Sequence, residues 1–165
     1  MRVLGIDPGT LNLGYGVVDE EGREMHMVDC GVLRSSAKIP LEQRLSSLYH
    51  GLCDVVADCK PDEVAIEEPF VAANARSALS LGRAQAIAIL AAANRKLPVF
   101  RYPPALVKQN VTNSGSSSKE QVQAMVRIQL GLDRSPESTD ASDALAVAIC
   151  HLHQRQLDCL LTKTQ

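Results

Sequence analysis

The alternation of apolar and polar residues predicts strands first and helices later in the chain. Three apolar runs near the N-terminus are separated by tight-turn sequences, which is typical of an antiparallel three-stranded meander. After residue 40 the spacing changes, because apolar residues recur every three or four positions and define one face of a helix. The predicted meander strands are residues 2–7, 13–19 and 25–33, and the helix face is formed by Leu41, Leu45, Leu48, Leu52 and Val55.

Strands and helices alternate over the rest of the chain. Lys60-Pro61 ends the first helix. The later predicted elements are a strand over 63–67, an Ala-rich helix over 76–96, a strand over 97–102, a short helix over 103–108, and helices over 119–130 and 140–156. This order predicts an α/β fold with a mixed five-stranded sheet, in which two parallel strands extend the meander and helices cover both faces. We expect one domain over residues 1–155 and a frayed polar tail over 156–165.

Composition excludes several classes of protein. The 165 residues are 45% hydrophobic and 22% charged, as in ordinary globular domains. No apolar run reaches the roughly 18 residues of a membrane helix, and Asp7 interrupts the segment where a signal peptide would be apolar. The five cysteines contain no C-x-x-C pair, and we expect reduced, mostly buried thiols. These features predict a cytoplasmic protein with no membrane partner.

Basic residues are concentrated in the middle of the chain. The formal net charge is −2, yet residues 69–119 contain seven Lys and Arg and no Asp or Glu. The rest of the chain is correspondingly acidic. Such asymmetry is typical of a surface that binds a polyanion, although a chance gap in a solvated surface gives the same counts.

Four carboxylates occupy positions that favour chemistry. Asp7 and Glu67 end apolar strands, where open α/β sheets build their sites. Asp140 and Asp143 lie three residues apart and therefore on one face of the last helix. Structural roles explain the same residues singly, because Asp7 can cap the turn that follows it and two acids at a helix start suit its dipole.

The four acids indicate a metal site only if they lie close together in the fold. Carboxylates gathered at one sheet edge repel each other unless cations lie between them, and Mg²⁺ takes oxygen ligands of this kind. Two such ions about 4 Å apart activate a water and stabilise the leaving oxygen in phosphodiester hydrolysis. The acid-free residues 69–119 would then hold the backbone of the substrate.

Four sequence blocks resemble one known family. They are GIDPGTLNLGYGVV, AIEEPF, ALVKQ with the later KEQV, and DASDALAVAI, in this order over residues 2–152. The pattern resembles the RuvC family of bacterial Holliday junction resolvases. The resemblance implies an RNase H-like fold, a homodimer, and magnesium-dependent resolution of four-way DNA junctions by paired symmetric nicks. It also implies cooperation with the RuvAB branch-migration complex in recombination and repair.

The resemblance also assigns residues to the site. The catalytic acids, which hold two Mg²⁺ per subunit with Mn²⁺ able to substitute, are Asp7, Glu67, Asp140 and Asp143. The DNA-binding residues, of which Lys119 is also catalytic and Phe70 probes the junction, are Phe70, Asn74, Arg76, Lys108 and Lys119. The chain departs from the family where Thr112-Asn113-Ser114-Gly115, followed by three serines, replaces a glycine-flanked turn.

Other interpretations compete with parts of this one. The sequence D-P-G-T before a glycine-rich hairpin is also similar to the first phosphate loop of sugar kinases and actin-like ATPases, although those proteins need two such domains. A catalytically inactive junction-binding module is a third possibility, against which four intact acids argue. Phe70 suits an exposed stacking position better than a core position. The Ala-rich helix over 76–96 suits a subunit interface or a buried core helix equally well.

Overall fold

The N-terminal apolar runs form the predicted antiparallel meander. The computed structural model describes residues 1–22, 24–68 and 75–162, with residues 75–77 described by their backbone alone. The meander strands are β1 (Arg2–Asp7), β2 (Asn12–Glu21) and β3 (Glu24–Arg34). After β2 the chain turns at Gly22, whose φ of +68° lies in the left-handed region that glycine adopts without steric penalty.

Two parallel strands and five helices complete the described fold. The sheet order is β3-β2-β1-β4-β5, in which β1 pairs with β4 and β4 pairs with β5, both in parallel. The mixed five-stranded sheet predicted from the sequence is therefore confirmed, and it is the RNase H-like arrangement. The remaining elements are α1 (Leu41–Cys59), β4 (Glu63–Glu67), α2 (Ala75–Ala93), β5 (Val99–Tyr102), α3 (Pro104–Thr112), α4 (Lys119–Gln129) and α5 (Thr139–Thr162).

Helices cover both faces of the sheet and give two hydrophobic cores. On one face α1 and α2 pack against the inward side chains of β1, β2 and β4. On the other face α5 lies across the sheet, with α3 and α4 packed beside it. Leu145, Ile149 and Leu152 of α5 are fully buried. Helix α5 thus runs through the second core, and its first turn reaches the edge of the sheet where β1 ends.

Three predictions made from the sequence are corrected by the structure. The last helix continues through Thr162, so the frayed tail expected over 156–165 is helical in its described part. The short helix expected to end at Lys108 extends to Thr112. All five cysteines are free as expected, but they are not mostly buried, since Cys59 and Cys150 are buried while Cys159 is exposed.

No helix in the described part of the chain combines the length and apolar character needed to cross a membrane.

Candidate active site

The ends of β1 and β4 bring two of the predicted acids to one edge of the sheet. The two strands are parallel, and Ile6 of β1 pairs with Ile66 of β4. Asp7 and Glu67 follow directly, so both lie at the carboxyl ends of adjacent strands. The next residue, Glu68, is exposed instead and lies 3.9 Å from the Arg101 guanidinium, as the alternation of side chains along a strand requires.

A close approach of α5 to the meander brings the other two acids to the same edge. Gly14 of β2 pairs with Asp7 of β1. A Cβ atom on Gly14 would lie 2.1 Å from the carbonyl oxygen of Asp140, so only glycine allows the first turn of α5 to rest here. The third residue after Asp140 is Asp143, which lies on the same helix face.

One cavity of about 260 Å³ contains most of the predicted catalytic residues. Its polar lining consists of three acids and two lysines, and its apolar lining comes from α3, α4 and α5. The polar lining residues are Asp7, Glu67, Asp143, Lys108 and Lys119. Larger hollows exist elsewhere on the surface, but they lack this concentration of charge. We therefore take the acid-lined cavity as the candidate active site.

Burial and mutual repulsion shift the pKa values of Asp7 and Glu67. Burial, followed by the charges of Glu67, Asp143 and Asp140, raises the pKa of Asp7 from its ordinary 3.8 to about 8. Lys119 opposes this shift. Burial and the charge of Asp143 likewise raise the pKa of Glu67. Asp140 does not line the cavity, yet its contribution to the pKa of Asp7 places all four predicted acids in one electrostatic cluster.

Lys119 is the basic residue in direct contact with this cluster. Its Nζ donates a hydrogen bond of 3.0 Å to Oδ2 of Asp143. This bond, followed by the charge of Asp143, raises the pKa of Lys119 above its ordinary value. One ammonium group offsets only part of the negative charge of four carboxylates, so the cluster retains an affinity for further cations.

The donor set fits a hard divalent cation. Carboxylate oxygens are the ligands that Mg²⁺ and Mn²⁺ take in proteins, and a pKa of about 8 for Asp7 reflects both its burial and the unneutralised charge around it. Among the residues that the structure describes, no three His, Cys, Asp or Glu side chains already stand in the geometry of a metal site. The assignment of the four acids as metal ligands remains a prediction.

The predicted DNA-contacting residues are described only in part. Lys108 and Lys119 lie in the cavity with the acids. Phe70 and Asn74 fall outside the described residues, and Arg76 is described by its backbone at the start of α2. Their roles remain predictions.

Two tertiary contacts near and behind the site had no signal in the sequence. The Thr10 hydroxyl, in the turn after Asp7, lies 2.8 Å from the hydroxyl of Ser80 on α2. At the opposite end of β4, the fully buried His151 contacts Glu63 at 2.6 Å and Tyr102 at 2.7 Å. Both contacts join residues far apart in the chain. Neither the residue types nor their spacing in the sequence predicts that they meet.

Comparison with known proteins places the chain in a family. The family described as Crossover junction endodeoxyribonuclease RuvC matches residues 3–151. A curated relative of that name from Dehalococcoides mccartyi is 50% identical over 163 residues, covering 99% of this chain and 98% of the relative. Another, from Syntrophotalea carbinolica, is 49% identical over 162 residues, covering 98% of this chain and 100% of the relative.

Solved structures agree with the sequence comparison. Thermus thermophilus RuvC superposes with a TM-score of 0.89 at 34% identity, covering 96% of this chain and 97% of that one. The same protein in complex with a Holliday junction substrate gives a TM-score of 0.91 at 33% identity, with 96% of each chain covered. With its acid-lined cavity at the ends of β1 and β4, this chain belongs to the RuvC family of crossover junction endodeoxyribonucleases.

Proposed function

We propose that this protein resolves four-way DNA junctions by metal-dependent hydrolysis of phosphodiester bonds at the acid-lined cavity. The observation that carries the proposal is the convergence of Asp7, Glu67 and Asp143 in one cavity, where the pKa of Asp7 rises to about 8. Family membership supplies the substrate class, because the Thermus thermophilus relative was solved with a Holliday junction substrate. The nuclease domain in this proposal spans residues 1–155.

Two Mg²⁺ ions per subunit are proposed as the metal cofactor, held by Asp7, Glu67, Asp140 and Asp143, with Mn²⁺ as a substitute. The support is the hard, anionic character of this donor set. When bound, a pair of such ions activates a water and stabilises the departing oxygen of a phosphodiester. Without a cation, Asp7 is held protonated at neutral pH, in keeping with its pKa of about 8.

Lys108 and Lys119 are proposed to bind the phosphates of the DNA strand that enters the cavity. Both line it together with the acids, and Lys119 is 66% exposed, so its ammonium can reach a bound strand. The two lysines hold an anionic backbone beside an anionic cluster that would otherwise repel it. Phe70, Asn74 and Arg76 are proposed to contact the junction beyond the cavity, with Phe70 stacking on an unpaired base.

A homodimer is proposed because resolution requires two nicks and each chain carries one acid cluster. Helix α2 supports this proposal, since one of its faces exposes two leucines to solvent. Leu79 is 57% exposed and Leu90 is 52% exposed, and the exposed Arg83 and Ala86 lie between them on the same face. Such a face is typical of an interaction surface. A symmetric pair would place two sites on a target of near-two-fold symmetry.

The cellular setting of the proposal follows from the substrate. The protein is proposed to act in the cytoplasm, where bacterial DNA lies, after the RuvAB branch-migration complex has moved the junction. Membership in a family with numerous bacterial relatives supports this setting.

The test is cleavage of a labelled four-way junction beside a linear duplex of the same sequence. We expect the wild-type protein to cut the junction in Mg²⁺ or Mn²⁺, to leave it intact in EDTA, and to leave the duplex intact. Asp7→Asn keeps the size of the side chain but removes its charge, so cleavage should be lost while junction binding persists or strengthens. Asp54→Asn, at an exposed position of α1, is the matched control and should cut normally. Cleavage by Asp7→Asn at the wild-type rate would overturn the metal-site assignment.

A further inference from the structure

The loop between α3 and α4 joins the two helices that carry the lysines of the cavity. Lys108 lies in α3, one turn before its last residue Thr112, and Lys119 is the first residue of α4. Only residues 113–118 separate the helices. The conformation of this loop therefore sets the position of Lys119 relative to Lys108 and to the acid cluster.

The hydroxyl group of Thr112 is at the centre of the hydrogen bonds in this loop. Its proton is shared between the carbonyl oxygens of Lys108, at 2.8 Å, and of Ser114, at 3.0 Å. It accepts from the Ser114 backbone amide at 3.3 Å and lies 2.7 Å from the hydroxyl of Ser117, which then donates to it. A hydroxyl has one donor and two acceptor positions. All three are used, the donor position by two carbonyl oxygens, and the contacts link Lys108 of α3 to Ser114 and Ser117 of the loop.

The far side of the loop is fixed equally closely to α4. Ser118 caps the helix, because its hydroxyl accepts from the Gln121 amide at 3.3 Å while the Gln121 side chain accepts from the Ser118 amide at 2.8 Å. Ser117 is only 8% exposed, so loss of its partner would leave a buried hydroxyl unpaired. The contact between Thr112 and Ser117 thus connects the end of α3 to the capped start of α4.

We propose that Thr112, through Ser117, is a positioning residue that holds the Lys119 ammonium against the acid cluster. The proposal rests on the proposed function for the role of the cavity, but the contacts themselves are independent of it. Thr112 touches neither acid nor cation, and it acts only by fixing where α4 begins. The 3.0 Å bond from Lys119 to Asp143 is the contact that depends on this placement.

The test replaces the hydroxyl while keeping the volume of the side chain. In Thr112→Val we expect kcat for junction cleavage to fall about tenfold, because displacing a reacting-site group by about 1 Å costs up to about a hundredfold. The KM for the junction should change little, since many other phosphate contacts remain. Thr112→Ser restores the hydroxyl and should recover the wild-type kcat. Ser117→Ala should reproduce the loss, and Thr112→Val/Ser117→Ala should lose no more than either single variant.

The control is a threonine in the same position of another helix. Thr162 is the last residue of α5, and its hydroxyl donates to the carbonyl oxygen of Asp158 at 2.9 Å. Thr162→Val removes the same kind of bond far from the cavity and should leave kcat unchanged. Equal losses in Thr112→Val and Thr162→Val, or a Thr112→Ser variant as slow as Thr112→Val, would overturn the positioning role.

A second readout does not depend on activity. Hydrogen exchange of the Gln121 amide reports the cap of α4, and it should accelerate in Thr112→Val but not in Thr162→Val. An unchanged exchange rate would refute the connection from Thr112 to α4. Lys119→Ala, assayed in parallel, distinguishes a failure of the proposed role of Lys119 from a failure of the positioning role of Thr112. If Lys119→Ala cuts at the wild-type rate, the proposed role of Lys119 fails, whereas wild-type cleavage by Thr112→Val beside an impaired Lys119→Ala refutes only the positioning inference.

Discussion

Asp7→Asn should change how the stability of the metal-free protein depends on pH. The pKa of Asp7 rises from an ordinary 3.8 to about 8 in the folded protein. Between these two values the folded protein binds a proton that the unfolded chain has already released. Its free energy of unfolding therefore falls as the pH rises through this window, which is the direction required when the native state binds more protons. The amide that replaces the carboxyl group in Asp7→Asn cannot titrate, so this contribution disappears.

The magnitude follows from the size of the shift. One pKa unit corresponds to about 1.4 kcal/mol. From about pH 5 to about pH 7, wild type should therefore lose about 3 kcal/mol relative to Asp7→Asn, and the two proteins should be most similar below about pH 4, where Asp7 is protonated in both the folded and the unfolded chain. A smaller slope persists in the variant because the pKa of Glu67 is also raised by burial and by Asp143. The acid cluster thus destabilises the metal-free fold at the neutral pH where metal binding is proposed.

The assay is urea unfolding followed by circular dichroism in EDTA, at several pH values and at constant ionic strength and protein concentration. Asp54→Asn removes a carboxylate of the same size from an exposed position and should follow wild type throughout. Added Mg²⁺ at about pH 8 should stabilise wild type more than Asp7→Asn, because a ligand of the native state shifts the unfolding equilibrium. Parallel curves for wild type and Asp7→Asn over the whole range would refute the reasoning.

Three further predictions concern DNA, symmetry and packing. Lys108→Ala and Lys119→Ala should each weaken junction binding and make the log–log salt dependence shallower by about one unit, and unchanged slopes in both would show that the lysines do not meet phosphates. A cross-linked dimer of wild-type and Asp7→Asn subunits should bind a plasmid-borne junction normally but leave single nicks; paired incision would show that one site serves both strands. Gly14→Ala should destabilise the protein by about 1–3 kcal/mol and reduce cleavage more than binding, because the new Cβ displaces Asp140. An unimpaired cleavage rate would contradict the role of Gly14 in placing Asp140.

Local patterns in the chain were sufficient to predict the elements that carry the site. The apolar runs ending in Asp7 and Glu67 predicted two strands with carboxylates at their ends, and both strands end at those residues. Spacing placed Asp140 and Asp143 on one face at the start of a helix. Strand alternation, helical spacing and turn residues are properties of neighbouring positions, so a sequence expresses them directly.

Helix ends were predicted less well, because they depend on contacts with residues that are distant in the chain or lie in the adjoining loops. Fraying was expected from residue 156 onward, yet α5 continues through Thr162. At the start of this segment the Gln156 side chain contacts Glu20 of β2, which is 136 residues away in the chain. Likewise α3 continues to Thr112, whose hydroxyl finds its partners in the serine loop that follows.

The sequence by itself determined which residues of this protein could do chemistry and which elements present them. Tertiary structure decided how those residues affect one another. The pKa of Asp7 depends on burial and on three acids from β4 and α5, and the bond from Lys119 to Asp143 spans 24 residues. Burial and Coulomb energy depend on distances in space, and those distances exist only after α5 has packed onto Gly14 and the two strand ends have met.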